Sequence, residues 1–437
     1  MDKNTTLFWF RRDLRLSDNA GLYHALKNNE AVLPIFIFDT TILKHLPKSD
    51  KRVLFIHQTL KQIKRDLQEK GSDLNIYFGE PLTILKELFE KKNFKNLYAN
   101  HDYEADAVYR DSKVEKWALA QKIEFKTFKD QCIFEKSEVV SDSKKPYTVF
   151  TPYKKKWLSQ VKPFFLKSYP VETYEKNLLQ CKSKTEMPTL SVLGFEDSDF
   201  EFPKKSVAKK MLIDYAEKRD FPALDNTSKL GLHLRFGTVS IRSAAREAQK
   251  TSDVWLSELI WRDFFMQILW HFPHVQKESF RPQYEKVAWR AEKDEFKKWS
   301  DGKTGYPLVD AGMRELNETG HMHNRVRMVV ASFLTKHLLM HWSVGERYFA
   351  EKLLDYDLAA NNGNWQWAAG TGCDAAPYFR VFNPETQLER FDPDLKYVKK
   401  WVPEFGTSKY ILPMVEHKFA RERALSAFKL ALKGSEE

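Results

Sequence analysis

DYDLAANNGNWQW, residues 355–367, sets two acids, an Asn pair, one glycine spacing and two tryptophans around Gln366 into one short stretch. A surface loop seldom carries two large aromatics, and a plain core helix seldom carries so many amides and acids. The mixture suits a planar polar ligand gripped by hydrogen bonds and enclosed by rings. Asn361 and Trp365 are four apart and share one face if the segment is helical. Asp355 is placed to pair with Arg327, and an acid held beside a ring would tune the ring's charge. Closely spaced indoles can also pass an electron in hops.

Outward from this stretch the chain reads as helical. From about residue 205 onward, segments 207–218, 241–251, 255–272, 307–319, 324–341 and 345–353 carry helical patterns, many ending near Gly or Pro. Nine of the twelve tryptophans fall at or after Trp255. Residues 1–130 have a different rhythm. Apolar runs at 7–10, 31–38 and 74–78, with shorter ones at 96–99 and 125–128, alternate with amphipathic segments at 19–28, 53–71, 81–91 and 106–121. Val53, Ile56, Leu60, Ile63 and Leu67 have the spacing of one helix face. Strand–helix alternation predicts a doubly wound parallel sheet. No GxGxxG is present, so a dinucleotide fingerprint is not supported, although the crevice at the strand ends suits a small ligand. Residues 131–204 are rich in Lys, Ser, Pro and Thr and predict a connector over the surface with short helices. Its run Lys154, Lys155, Lys156 is a solvated face or a phosphate contact. The expected architecture is therefore α/β + all-α: a Rossmann-like domain over 1–130, a connector over 131–204 and a helical domain over 205–437.

The chain of 437 residues has a net charge of +11, which favours a polyanionic partner, nucleic acid before membrane. Cys132, Cys181 and Cys373 are scattered and form neither a disulfide framework nor a CxxC motif, as expected in a reducing cytoplasm. The N-terminus lacks an apolar signal region, and no apolar run approaches the ~18 residues that span a bilayer.

Three further stretches carry candidate chemistry. In SELIWRDFF, Glu258, Trp261, Arg262 and Phe265 fall on one helix face. Carboxylate, indole and guanidinium together suit a pocket lining; an amphipathic helix with a Glu258–Arg262 pair is the plainer alternative. In GHMHNRVRM, Asn324, Arg327 and Met328 share a face while Arg325 points elsewhere, toward a possible phosphate. His321 and His323 lack a third ligand nearby, so no metal is expected. Around Tyr215 and Arg219, the run Thr227, Ser228, Lys229, Leu230, Gly231 can cradle a phosphate or simply cap a helix.

Taken together, FWFRRDLRLSDNAGL, YAEKRDFPALDNTSKLGLHLRFGTVS, SELIWRDFF, GKTGYPLVDAGMREL, HNRVRMVVASFL and DLAANNGNWQWAAGTGCDAAPYFRVFNP resemble the photolyase/cryptochrome family, in family order and along nearly the whole chain. The likeness is closest to bacterial class I cyclobutane pyrimidine dimer photolyases. It implies an α/β antenna domain and a helical domain binding FAD. Asn324 and Met328 stand where (6-4) photolyases usually have His and another residue, and where the DASH group has Gln for Met. Asn361 stands where plant cryptochromes usually have Asp. These choices imply dimer repair, with a signalling cryptochrome or a (6-4) photolyase as the alternatives.

The resemblance implies these roles. Tyr215, Thr227, Ser228, Lys229, Leu230 and Gly231 would surround the FAD phosphates and ribityl chain. Trp255, Glu258 and Arg262 would close on the cofactor, and Arg327, Asp355, Tyr356, Asp357 and Asn361 would surround its ring system. Trp261 and Trp367 would sandwich a flipped dimer, touched by Glu258, Asn324 and Met328. Arg219, Arg262, Arg325, Arg380 and Gln387 would hold the DNA strand. Trp365, Trp342 and Trp289 match an electron path to the surface. The partner implied is UV-damaged DNA, met by a monomer. Two departures stand out. His321 occupies a position that is Trp in many relatives, and Ala107 replaces an acid that holds a folate antenna in some of them. Folate is thereby weakened; deazaflavin, a second flavin or no antenna stay open.

Overall fold

The computed structural model describes residues 5–91 and 94–433. It divides into two compact units that do not follow chain order. One comprises the chain up to Glu135 with Gln160–Ser206 and Lys229–Lys250; the other comprises Lys136–Ser159, Val207–Ser228 and the chain from Thr251.

The first unit is built on five parallel strands: β1 (Thr5–Phe10), β2 (Val32–Asp39), β3 (Asn75–Gly79), β4 (Phe94–Asn100) and β5 (Glu124–Phe128), in the order β3-β2-β1-β4-β5. The central strands are apolar on both faces, as a sheet covered on both sides requires. Leu7, Trp9, Leu33, Ile35, Leu97 and Ala99 pack with Leu85, Leu88 and Val114 of the helices Pro81–Lys91 and Ala105–Ala120. The helix Ala20–Asn28 covers the opposite face, where a Cβ on Gly21 would stand 2.8 Å from the Phe8 ring. Pro34 sits in β2 one residue before pairing with β3 begins at Ile35, so its missing N–H falls outside that ladder. The doubly wound sheet read from the alternating pattern is thus present, each strand within three residues of its expected bounds.

The order reverses between β1 and β4, the switch point of the sheet. Polar groups are buried there. Asn100 Nδ2 donates to Asp13 Oδ2 (2.6 Å) and Asn19 Oδ1 (2.8 Å), and Arg15 and Arg242 both hold Asp130 at 2.7 Å. Burial, with Asp130 nearby, pushes the Asp13 carboxyl above its ordinary range, while the two guanidiniums offset burial at Asp130 and hold it low.

The second unit is helical, and its core gathers Trp299, Trp342, Trp365, Phe333, Phe349, Met313 and their neighbours. The segment expected as one helix over 207–218 is two short pieces, Lys209–Ile213 and Tyr215–Lys218. The helix expected over 324–341 runs as α-helix only over Asn324–Ser332 and widens into a π turn at Phe333–His337. Leu339 then takes a left-handed conformation (φ 51°), which ends the helix and frees His341 to cap the next one, Trp342–Lys352. That helix therefore starts three residues before the expected Gly345. The Lys-rich stretch of the expected connector includes a helix, Phe150–Gln160, that buries Tyr153 and Trp157 instead of only crossing the surface. Trp157 Nε1 donates to Asp263 at 3.1 Å, while Lys156 pairs with Asp142 at 3.0 Å.

Candidate functional site

The opening stretch forms the helix Leu358–Ala369. Asp357 caps its start by accepting from Ala360 N (3.4 Å), and Gly370, with φ 83°, ends it. The buried Lys336 adds a second stop by donating to Ala369 O at 2.7 Å. Burial with no carboxylate partner drops the Lys336 ammonium to about 7.

The amides on this helix divide into two sets. Asn362 and Gln366, four apart, both donate to Val275 O (2.8 and 2.9 Å), and Gln366 Oε1 accepts from Phe280 N (2.8 Å). They satisfy backbone groups of the segment around Val275 and are structural. Asn361 is different. Its Nδ2 donates to Glu346 Oε1 (2.8 Å) and Glu346 O (3.0 Å), which turns its own oxygen away from Glu346. Glu346, on the helix Trp342–Lys352, was not among the sequence candidates; only its place four residues after Trp342 hinted at it. Burial raises its carboxyl above the ordinary range. Glycine sets the spacing on both sides of the helix. A Cβ on Gly345 would meet the Trp365 ring at 2.2 Å, and one on Gly363 would meet Phe265 at 2.2 Å.

Around this helix the structure brings several expected residues together. Arg327 pairs with Asp355 at 3.0 Å and also donates to Met322 O at 2.7 Å, as the sequence anticipated for the pair. Glu258 pairs with Arg219, not with Arg262 as the amphipathic alternative had it, because Arg219 follows a short helix that reaches the Glu258 face. Arg219 also lies over the Tyr215 ring, and burial with Glu258 nearby lifts the Tyr215 phenol above its ordinary value. Arg325 pairs with Asp220 (2.8 Å) and lies 4.3 Å from the Phe391 centroid, with Met328 Sδ 3.8 Å from its guanidinium. Trp261 stacks on Phe150 at 3.6 Å and 6°, a ring the sequence did not single out.

The remaining candidates are placed as follows. Trp255 is buried; Arg262, Tyr356, Trp367 and Gln387 are half-buried; Asn324 and Arg380 are exposed. Thr227 and Ser228 are half-buried and close a segment of the helical unit, whereas Lys229 (φ 49°), buried Leu230 and Gly231 open a segment of the other. His323 caps Asn324–Ser332 and is held by burial down to about 4, while His321 faces Glu315 at 3.5 Å. Among the described residues no group of three or more His, Cys, Asp or Glu is placed to hold a metal.

Trp365 and Trp342 are almost fully buried and Trp289 is partly exposed. Trp365 packs edge-on to Phe349 (5.0 Å) and Trp299 (6.2 Å). The buried indole nitrogens of Trp342 and Trp289 have no hydrogen-bond partner. Ala107 is buried in the first turn of Ala105–Ala120. No helix among the described residues is long and apolar enough to cross a membrane.

Comparison with known proteins bears on the chain as a whole. Residues 6–173 match the family described as DNA photolyase, and residues 255–408 match the FAD binding domain of DNA photolyase. A deoxyribodipyrimidine photo-lyase of Halobacterium salinarum is 35% identical over 97% of this chain and 99% of its own. Among solved structures, a bacterial class III photolyase from Agrobacterium tumefaciens is similar with a TM-score of 0.88 and 32% identity, over 99% of this chain and 98% of that one. An archaeal photolyase from Sulfolobus tokodaii, solved with two FAD molecules, is similar with a TM-score of 0.83 and 36% identity, over 98% of this chain and 100% of that one.

Proposed function

The chain belongs to the DNA photolyase family, and from that premise we propose how its residues bind FAD and repair cyclobutane pyrimidine dimers in DNA with light. The observation that carries the site reading is the grip of Glu346 on Asn361, which leaves the Asn361 oxygen to a ligand. A reduced isoalloxazine offers an N–H that such an oxygen accepts. The donor set fits the rest of the cofactor as well. The Arg327–Asp355 pair and Asp357 supply fixed charge for the ring system, and Trp255 and Tyr356 supply apolar cover. The hydroxyls of Thr227 and Ser228, with Tyr215 and Arg262, suit a pyrophosphate and ribityl chain; Lys229, Leu230 and Gly231 follow directly in sequence.

Bound there in reduced form, FAD would supply the light-excited electron that opens the cyclobutane ring. The residues of the chain bind and orient. Trp261 and Trp367 offer ring faces to the flipped bases, and Glu258, Asn324 and Met328 meet their edges. Extrusion of a base costs a few kcal/mol, less where pairing is already damaged. Arg219, Arg325, Arg380 and Gln387 hold the phosphates without reading sequence. Trp365, Trp342 and Trp289 carry electrons inward when oxidised cofactor is photoreduced. The same reading has the protein act as a monomer on DNA in the cytoplasm. The first unit carries any second chromophore; with Ala107 unable to hydrogen-bond through its side chain, a flavin or deazaflavin suits it better than a folate.

The test is direct. Reduced protein is illuminated with an oligonucleotide bearing one thymine dimer, and recovery of thymine absorbance is followed. Recovery under blue light and none in the dark is expected; no recovery in either sinks the assignment of repair.

A further inference from the structure

The path from Trp342 to Trp289 is joined by a third ring. His341 lies 5.2 Å from the Trp342 centroid at 33°, and 5.5 Å from the Trp289 centroid at 80°. Among the described rings it is the one that touches both. Its orientation is fixed. His341 Nδ1 accepts from Ser343 N (3.2 Å) and meets Ser343 Oγ at 2.7 Å, which caps the helix Trp342–Lys352 and pins the imidazole.

We propose that His341 is a positioning and bridging residue for photoreduction, filling the gap between Trp342 and Trp289 with conjugated matter. This rests on the reading of Trp365, Trp342 and Trp289 as an electron path. The electrons balance as follows. One electron leaves Trp365 toward the excited oxidised cofactor. Trp342 refills Trp365, Trp289 refills Trp342, and a thiol reductant in solution refills Trp289, itself ending as half of a disulfide. Imidazole gives up an electron less readily than indole, so His341 is neither oxidised nor reduced; it couples the two indoles. The buried indole N–H groups of Trp342 and Trp289 make no hydrogen bond within the protein. Neutral imidazole adds no charge to oppose the electron's passage, and burial favours that form.

The experiment separates bridging from capping. His341→Asn keeps a good cap and removes the ring; His341→Phe keeps a ring and removes the cap. The full-length protein with oxidised FAD is excited by a flash in the presence of dithiothreitol. Tryptophan radical absorbance and the yield of reduced cofactor are recorded, with repair by chemically pre-reduced protein as a second readout. His341→Asn is expected to lower the photoreduction yield several-fold and leave repair unchanged, and His341→Phe to recover most of the yield despite a lower Tm. Wild-type yield in His341→Asn overturns the proposal, as does a His341→Phe protein no better than His341→Asn. Trp289→Phe tests the underlying path: if it photoreduces like the wild type, the path does not run through Trp289, and the bridge falls with it.

Discussion

Asn361 donates its side-chain amide to both the carboxylate and the main-chain carbonyl of Glu346, at 2.8 and 3.0 Å. The two helices that carry them are thereby locked in rotation about each other, and one acceptor oxygen is fixed in direction. Asn361→Ala removes the lock and leaves the half-buried Glu346 carboxylate without its amide donor. The expected cost is about 1–3 kcal/mol by chemical denaturation of the FAD-bound protein. A fall in repair yield should accompany it. Glu346→Gln keeps an acceptor and should lose far less on both counts.

Arg327 and Asp355 form a partly buried pair whose cation also holds Met322 O. Arg327→Ala should weaken FAD retention. A charged hydrogen bond is worth about 1.5–3 kcal/mol, which is about tenfold to hundredfold in affinity if all of it reaches the ligand. Flavin content after dialysis measures it; full retention would remove the pair from the cofactor site.

Glu258 neutralises Arg219 in the free protein. Glu258→Ala should therefore lower repair yield while DNA affinity holds or rises. Arg325→Ala or Arg380→Ala should weaken binding to any sequence and reduce the slope of affinity against salt by about 1 each. Titrations at several salt concentrations decide between these outcomes. A collapse of binding in Glu258→Ala would make that residue structural.

His337 Nε2 meets His417 Nδ1 at 2.8 Å beneath the C-terminal helix His417–Lys433, and burial takes His337 down to about 3. A histidine with a depressed folded value is stabilising above its unfolded value near 6.5, and that contribution is lost as pH falls toward 3. Tm should drop on acidification from pH 7 to pH 4. His337→Phe should flatten the drop, by up to about 1.4 kcal/mol per pH unit below 6.5. An unchanged pH profile would assign the loss to other groups such as His323.

Gly345 gives way to the Trp365 ring, which would stand 2.2 Å from an added Cβ. Gly345→Ala should cost about 1–3 kcal/mol as overpacking. Because the strain falls on Trp365, photoreduction should slow while repair by pre-reduced protein is less affected. Equal loss of both would argue against Trp365 as an electron donor.

Sequence periodicity carried the sheet and most helices, since apolar spacing there is imposed by burial. The Arg327–Asp355 pair was legible from its opposite charges on two motifs, not from any period. Periodicity did not carry the π turn at Phe333–His337 or the early start at Trp342, because these depend on one left-handed residue, Leu339, with no glycine to mark it. The amides of residues 355–367 were legible as a group but not by role. Asn362 and Gln366 serve the loop at Val275, a partner distant in sequence that no local pattern reveals. Glu346 and Phe150 were missed for the same reason.

Each unit is assembled from three separate stretches of chain, and the first is complete only at Lys250. During synthesis the ribosome spends on the order of ten seconds between Glu135 and Lys250. For that interval the nascent sheet waits for its last segments, and Lys136–Ser159 waits for a helical unit that does not yet exist. A chaperone that shields these stretches has a defined window in which to act, and a cut between Glu135 and Lys250 would part segments that belong to the same unit.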